Sequence, residues 1–322
     1  MLKQFNFGNS TTYVIGHKSP DADTVGSAIA FADLLNKLKI KAKAVVSGSI
    51  NGETKYFLDH FGIKVPETLT KADGKQFVLV DHNSYLQAID GMKSARVVGI
   101  IDHHSVDDIS SSEAIYSRFA PVGAAASIIY LMYNEFNISI SKKTARVMLM
   151  SILSDTNNLT KVTTKAIDRI AYEDLKKIAK IKDIDTIYNN MVEAKASYGN
   201  MSDEEIYKSN YKEYVVNGKT FCMGDVNAKG EEAMKEMADR MYKYMEQNYE
   251  KLGFNMIFGK VNNINEDGNE NKSYLFGYGE NAVEILKSSF GEFDGNYYIS
   301  KEKLSRKTHV IPVITVYLNG EN

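Results

Sequence analysis

Cysteine is nearly absent: Cys222 is the single one in 322 residues. One thiol excludes an intramolecular disulfide framework and any Cys-clustered zinc or iron–sulfur site, and it fits a reducing cytoplasm. Proline is scarce as well, with four residues, which argues against long Pro-rich linkers. No apolar run approaches the ~18 residues of a membrane span, so no membrane partner is expected. The opening stretch Met1–Asn6 lacks the basic region and long apolar stretch of a signal peptide. Neither sign of charge dominates, with 39 Lys and Arg against 41 Asp and Glu. That balance gives no global reason to bind along nucleic acid, although a small anion needs only a local cluster. What the chain does hold is material to bury, including 14 Phe and 20 Tyr. That is enough for one large domain or two ordinary ones.

The first half alternates short apolar runs with helical patterns. Strands are expected at Thr12–His17, Ala42–Ser47, Gln76–His82, Arg96–His103 and Ala114–Phe119. Helices are expected at Thr24–Leu38, Lys55–Phe61, Val122–Phe136, Lys142–Leu153 and Thr164–Ile181. Apolar runs without polar alternation indicate strands buried on both faces, hence a mainly parallel sheet flanked by helices in an α/β domain. The second half reads as a smaller mixed-sheet α/β domain. Asn217-Gly218 between Tyr214–Val216 and Thr220–Met223 is a type I′ hairpin signal. Gly230–Lys251 is a long helix, and Asn255–Val261 and Lys272–Gly277 are strands around the polar loop Asn262–Asn271. Val310–Tyr317 is expected as a final strand. The polar stretch Glu193–Asp203, with Gly199-Asn200 and a fresh helix start at Ser202, marks the boundary. The division is therefore 1–193, a linker at 194–202, and 203–322, with the active site expected in the cleft between the two domains.

Chemistry gathers where the expected elements stop. His17, Asp21 and Asp23 follow the first strand; Asp81 and His82 follow the third; Asp102, His103 and His104 follow the fourth; Asp155 follows a helix. Loops at the carboxyl ends of parallel strands open on one side, where ligands bind. Gathering several carboxylates there is prohibitive unless they share protons or hold cations. Mixed oxygen and imidazole donors suit Mn²⁺, Fe²⁺, Co²⁺ or Zn²⁺ rather than Ca²⁺. Two such ions about 3.5–4 Å apart serve in-line phosphoryl transfer.

In GHKSPDADT, VDHN, IIDHH, APVGAAASIIYLMY, LSDT and Leu304-Ser305-Arg306-Lys307 the chain resembles the DHH phosphoesterase superfamily, and within it the manganese-dependent (family II) inorganic pyrophosphatases. The likeness runs from Thr12 to Val313 and implies an N-terminal DHH metal-binding catalytic domain and a C-terminal DHHA2-type substrate-binding domain. It implies hydrolysis of inorganic pyrophosphate to two orthophosphates by a metal-bridged hydroxide at a two-metal site. By the same resemblance His17 and Asp21 bind one metal, Asp23 and His103 the other, and Asp81 and Asp155 bridge both. His104 donates to a phosphoryl oxygen, and Lys212, Arg306 and Lys307 bind phosphate. The implied cofactors are two Mn²⁺ per subunit, replaceable by Co²⁺, with additional Mg²⁺ arriving on the substrate. The implied protein is a cytoplasmic homodimer.

Five positions depart from the family pattern: Thr24 stands where Ser is usual, Ser84 where an acid is common, Ser105 where a base is common, and Thr308-His309 where Lys-Gln is usual. None removes a metal ligand. Asp102 is expected to hydrogen-bond a motif histidine, and His82 either to orient a ligand or to cap a loop. His60 reads as a helix-end residue and Cys222 as core. Two other functions compete: a DHH-type phosphodiesterase acting on short oligonucleotides or cyclic dinucleotides, and a catalytically silent metal-dependent phosphate sensor. The phosphodiesterases carry a Gly-Gly-Gly-His type motif that this chain lacks, and the sensor would show a lost ligand.

Overall fold

The computed structural model describes residues 7–198, 201–264, 272–302 and 304–320. The Met1–Asn6 stretch, Gly199-Asn200, most of the polar loop after Asn262, and Lys303 lie outside the described residues. The chain forms two compact units, Met1–Met191 and Val192–Asn322.

The first unit runs β1 (Thr12–Ile15), α1 (Ala22–Lys37), β2 (Ala42–Val46), α2 (Gly52–His60), β3 (Glu67–Thr68), β4 (Gln76–Val80), β5 (Arg96–Asp102), β6 (Tyr116–Phe119), α3 (Ala125–Glu135), α4 (Lys142–Thr156), α5 (Ala166–Ala179) and α6 (Ile184–Ala196). The last helix continues past Met191 into the second unit. The six strands are all parallel, in the order β3-β2-β1-β4-β5-β6. Every residue of β4 is buried, as its unbroken apolar run predicts. Helix α1 packs against α4 so closely that a Cβ on Gly26 would fall 2.0 Å from Ser151 Oγ and 3.0 Å from the Val147 carbonyl oxygen. Only glycine fits there. The strand order reverses between β1 and β4, so their carboxyl ends flank the crevice where open α/β sheets place ligands.

The second unit runs α7 (Asp203–Lys208), β7 (Tyr211–Val216), β8 (Lys219–Ala228), α8 (Glu231–Leu252), β9 (Met256–Asn263), β10 (Ser273–Gly279), α9 (Ala282–Phe290), β11 (Tyr298–Ser300) and α10 (Ile311–Asn319). Its sheet order is β11-β10-β9-β8-β7, with β8 and β9 parallel and the other pairs antiparallel. Residues Asn217 and Gly218 both take positive φ, 47° and 75°, as the hairpin signal requires. Alternate residues of β8 face two cores. Cys222 and Val226 meet Met241 and Tyr244 of α8, while Phe221 and Met223 meet Leu286 of α9 and Ile314 of α10. Cys222 is thus core, as expected.

One expectation fails. Val310–Tyr317 is not a strand: Arg306–Val310 forms a π-helical turn that leads into α10. The β-branched run favours a strand intrinsically, but packing overrides propensity. Val310 and Ile314 are buried, with Ile311, Tyr317 and Leu318 packed beside them, which is the spacing of a helix face. Pro312 sits in the first turn, where its missing N–H costs nothing.

Candidate metal centre

Each element of the first unit delivers its motif to the carboxyl ends of the strands. β1 ends at Ile15 and hands on to Gly16-His17, where a Cβ on Gly16 would collide with Thr24 Cγ2 at 2.3 Å. Asp21 caps α1, accepting the Thr24 N–H at 3.0 Å. Asp23 sits in the first turn of that helix. It is fully buried and accepts N–H bonds from Ala125 (2.6 Å) and Ala126 (3.1 Å) at the start of α3. β4 stops at Val80, and Asp81 adopts a left-handed φ of 60°, a region Asp tolerates better than most residues. Asp155 lies in the last turn of α4, which runs three residues beyond its expected end.

The side chains converge. His17 Nε2 is 3.5 Å from both Asp21 Oδ2 and Asp81 Oδ2. His103 Nε2 is 3.2 Å from Asp81 Oδ1 and 3.5 Å from Asp155 Oδ2. Three donor sets have their ligand atoms within 4.8 Å of one another: His17, Asp21 and Asp81; Asp23, Asp81, His103 and Asp155; Asp81, His103 and His104. Asp81 belongs to all three. Asp155 belongs to one, and the charge of Asp21 also reaches it.

The electrostatics of this nest call for a cation. Burial, with the charges of Asp81 and Asp155, drives the Asp23 carboxyl well above the usual range. Burial and then the charge of Asp21 push Asp155 up to about 6. Against the pull of burial, Asp81 holds His103 in its protonated form, raising it to about 10. The imidazole of His103 places Nδ1 3.0 Å from the Val122 carbonyl, where it can donate. Were the ring neutral with its proton on Nδ1, the Nε2 lone pair would face carboxylate oxygens, and among the described residues neither His103 Nε2 nor Asp81 Oδ1 has a hydrogen-bond partner. A proton or a divalent cation must lie between them, and the donor set fits the latter.

The surrounding residues position these ligands. Thr24 Oγ1 donates to Asp81 Oδ2 at 2.7 Å, so the departure from Ser keeps the hydroxyl that matters. Asp102 is buried and takes His104 Nδ1 at 2.8 Å, the His103 and His104 N–H groups, and Asn83 Nδ2 at 2.5 Å. It orients the histidine pair, as expected. Ser105 contributes its carbonyl, which accepts from Asn83. His82 Nδ1 lies 3.1 Å from the Val80 carbonyl, and burial lowers it to about 4, which favours the neutral ring; its Nε2 is buried with no hydrogen-bond partner among the described residues. His60 ends α2 between Tyr56 and Phe61.

Sequence patterns missed Asp168. It is fully buried near the start of α5 and accepts from the Gly123 N–H (2.9 Å), Ser127 Oγ (2.6 Å) and the Lys165 N–H (2.7 Å). It thereby braces the 122–127 segment, which supplies the Val122 carbonyl to His103 and two N–H groups to Asp23. Its one sequence signal, an acid three residues into a helix, looks like an ordinary cap.

In the second unit Lys212 lies half-buried on the edge strand β7. Arg306 and Lys307 open the π turn. The Arg306 guanidinium donates to Asn210 twice, to the carbonyl oxygen at 2.8 Å and to Oδ1 at 2.9 Å, two residues before Lys212. The turn is closed by the Ser305 N–H donating to His309 Nδ1 at 3.0 Å, which gives the unusual His309 a local role.

Residues 11–152 match the DHH family, N-terminal domain, and residues 189–317 match the DHHA2 domain. The manganese-dependent inorganic pyrophosphatase of Bacillus subtilis is 32% identical over 94% of this chain and 97% of its own. A probable manganese-dependent inorganic pyrophosphatase of Archaeoglobus fulgidus is 35% identical over 93% of this chain and 96% of its own. A solved Methanococcus jannaschii structure assigned to the family II inorganic pyrophosphatases superimposes with a TM-score of 0.85 at 29% identity, covering 96% of this chain and all of that one. With the DHH and DHHA2 domains in order, and likeness over nearly the whole length, the chain belongs to the family of manganese-dependent inorganic pyrophosphatases.

Proposed function

We propose that this chain hydrolyses inorganic pyrophosphate to two orthophosphates at a two-manganese centre. The observation that carries the reading is the donor nest around Asp81, with His103 Nε2 and Asp81 Oδ1 opposed and unbonded. His17 and Asp21 would hold one ion, Asp23 and His103 the other, and Asp81 and Asp155 both. Co²⁺ suits the same donors, and additional Mg²⁺ would arrive with the substrate. When bound, such ions neutralise phosphoryl oxygens and acidify a coordinated water.

The chain's own groups do the rest. Asp102 accepts from Nδ1 of His104 and fixes the ring, so that in its imidazolium form Nε2–H would donate to a phosphoryl oxygen. Pyrophosphate carries roughly three negative charges near neutrality. Lys212, Arg306 and Lys307 neutralise those of the leaving phosphate. Asn210 uses two of the five N–H groups of a guanidinium to orient Arg306, and the other three serve the phosphate. We read 1–193 as the catalytic domain, 194–202 as the linker and 203–322 as the substrate-binding domain, in a cytoplasmic homodimer.

Phosphate release from pyrophosphate, with and without Mn²⁺, tests the reading beside cleavage of a dinucleotide. Manganese-dependent release from pyrophosphate alone is the expected result. Dinucleotide cleavage without pyrophosphate hydrolysis would overturn it, and binding of pyrophosphate without turnover would favour a sensor.

A further inference from the structure

Lys260 is an odd residue to find in β9. It is 2% exposed, flanked by apolar neighbours, and plays no part in the site described so far. Its register neighbour on the parallel strand β8 is Asp225, also buried though less deeply, and Lys260 Nζ lies 3.1 Å from Asp225 Oδ2. The same ammonium donates to the carbonyl oxygen of Leu304. The other main-chain group of Leu304, its N–H, donates to Ser273 Oγ on β10 at 3.1 Å. Ser273 in turn donates to Asn262 Oδ1 at 3.0 Å, and Asn262 Nδ2 donates to Asp225 Oδ1 at 2.8 Å. Both polar backbone atoms of the residue preceding Ser305-Arg306-Lys307 are therefore clamped by one buried ring of side chains. The Asp225 N–H also donates, at 3.0 Å, to the Asn210 carbonyl that receives Arg306.

A buried ion pair is a poor way to gain stability, because desolvation consumes most of what the attraction returns. An apolar pair would fill the same space between two packed cores. A ring that ends on backbone atoms of one short segment is better explained by where it puts that segment. We infer that Lys260 and Asp225 are positioning residues that hold the Leu304–Lys307 segment so that Arg306 and Lys307 meet a phosphate. The inference rests on the reading of those two residues as phosphate binders.

The test uses the full chain with Mn²⁺ and pyrophosphate, and compares Lys260→Met with the double variant Lys260→Met/Asp225→Leu. Both are expected to bind manganese as the parent does and to raise KM for pyrophosphate about tenfold. Amide hydrogen exchange at residues 304–310 should quicken at least tenfold, with β8 and the first unit unchanged. The double variant removes the lone buried charge, so it separates position from stability. Recovery of the parental KM in the double variant would assign the pair a structural role only and overturn the inference. So would unchanged exchange at 304–310 in both variants. Should Lys260→Met fail to fold, Ser273→Ala, which unties the Leu304 N–H and the Asn262 link but leaves the ion pair, is expected to give the same change in exchange and about a threefold rise in KM; parental values would refute the inference. Loss of phosphate release in the parent protein would instead refute the functional reading, while the exchange experiment would still decide the clamp.

Discussion

The acidic half of the candidate machinery is built under strain and the basic half is not. Asp23 and Asp81 are buried at 0% and 2% exposure, packed among like charges and held by backbone N–H groups and Thr24. Lys307 is exposed, and Arg306 and Lys212 are half-buried on a turn and an edge strand. Burial, and then neighbouring carboxylates, raise Asp23 and Asp155, so the proposed cations would relieve a cost that the first unit carries. Solvated bases cost the second unit little, and their value appears only against an anion. On the proposed reading, folding energy would be coupled to metal in the first unit and not in the second.

The sharpest way to break this contrast is Asp81→Ala. It should empty both metal positions and reduce phosphate release by more than the roughly 10–100-fold that losing an outer partner costs. Metal analysis of purified protein reads the first effect directly, and parental manganese content would remove Asp81 from its central place. Arg306→Ala tests the other side. It should lower kcat/KM about a hundredfold with manganese content intact, as removal of a transition-state donor does. Parental kinetics would take Arg306 out of the mechanism.

A smaller effect is expected from Asp168→Asn, which loosens the brace behind Asp23 and His103. Manganese affinity should fall about tenfold while Arg306 and its turn are untouched. The smallest concerns pH. The Asp155 carboxyl is raised in the folded chain, so its contribution favours folding at low pH and is lost as pH rises from about 4 through about 6. His103 is also raised, and its contribution is lost as pH rises from about 6.5 through about 10, largely above this range. Through Asp155 alone, metal-free protein should therefore lose of order 1 kcal/mol between pH 4 and 7, after allowance for its partial exposure, and the raised Asp23 adds a loss of the same sign. Saturating Mn²⁺ should abolish the loss. Thermal unfolding followed across that range, with and without chelator, is the measurement; a flat metal-free profile would contradict the account.

Much of the first unit was legible because a parallel sheet turns linear order into geometry. Each motif ends a strand or begins a helix, and strand ends share one side. The convergence of His17, Asp21, Asp81 and His103 follows from that alone. Asp168 was not legible, since Gly123 and Ser127, which it braces, lie over 40 residues earlier and its bond to the Lys165 N–H mimics a cap. Lys260 was hidden for a related reason: a lysine in a strand reads as facing solvent, and nothing local reveals that both faces of its sheet are covered. The strand expected at Val310–Tyr317 failed because β-branched residues speak only of local preference, whereas Val310 and Ile314 answer to a neighbouring core.

Asp81 stands in every donor set, and this sharing has a thermodynamic meaning. An ion taken up by one set changes the charge and freedom of a ligand that another set needs. With two ions bound as proposed, their affinities would be linked, and by reciprocity the factor that the first ion imposes on the second is the factor the second imposes on the first. Half-loaded and fully loaded populations cannot be adjusted separately, so a single free-cation concentration governs the composition of the whole centre.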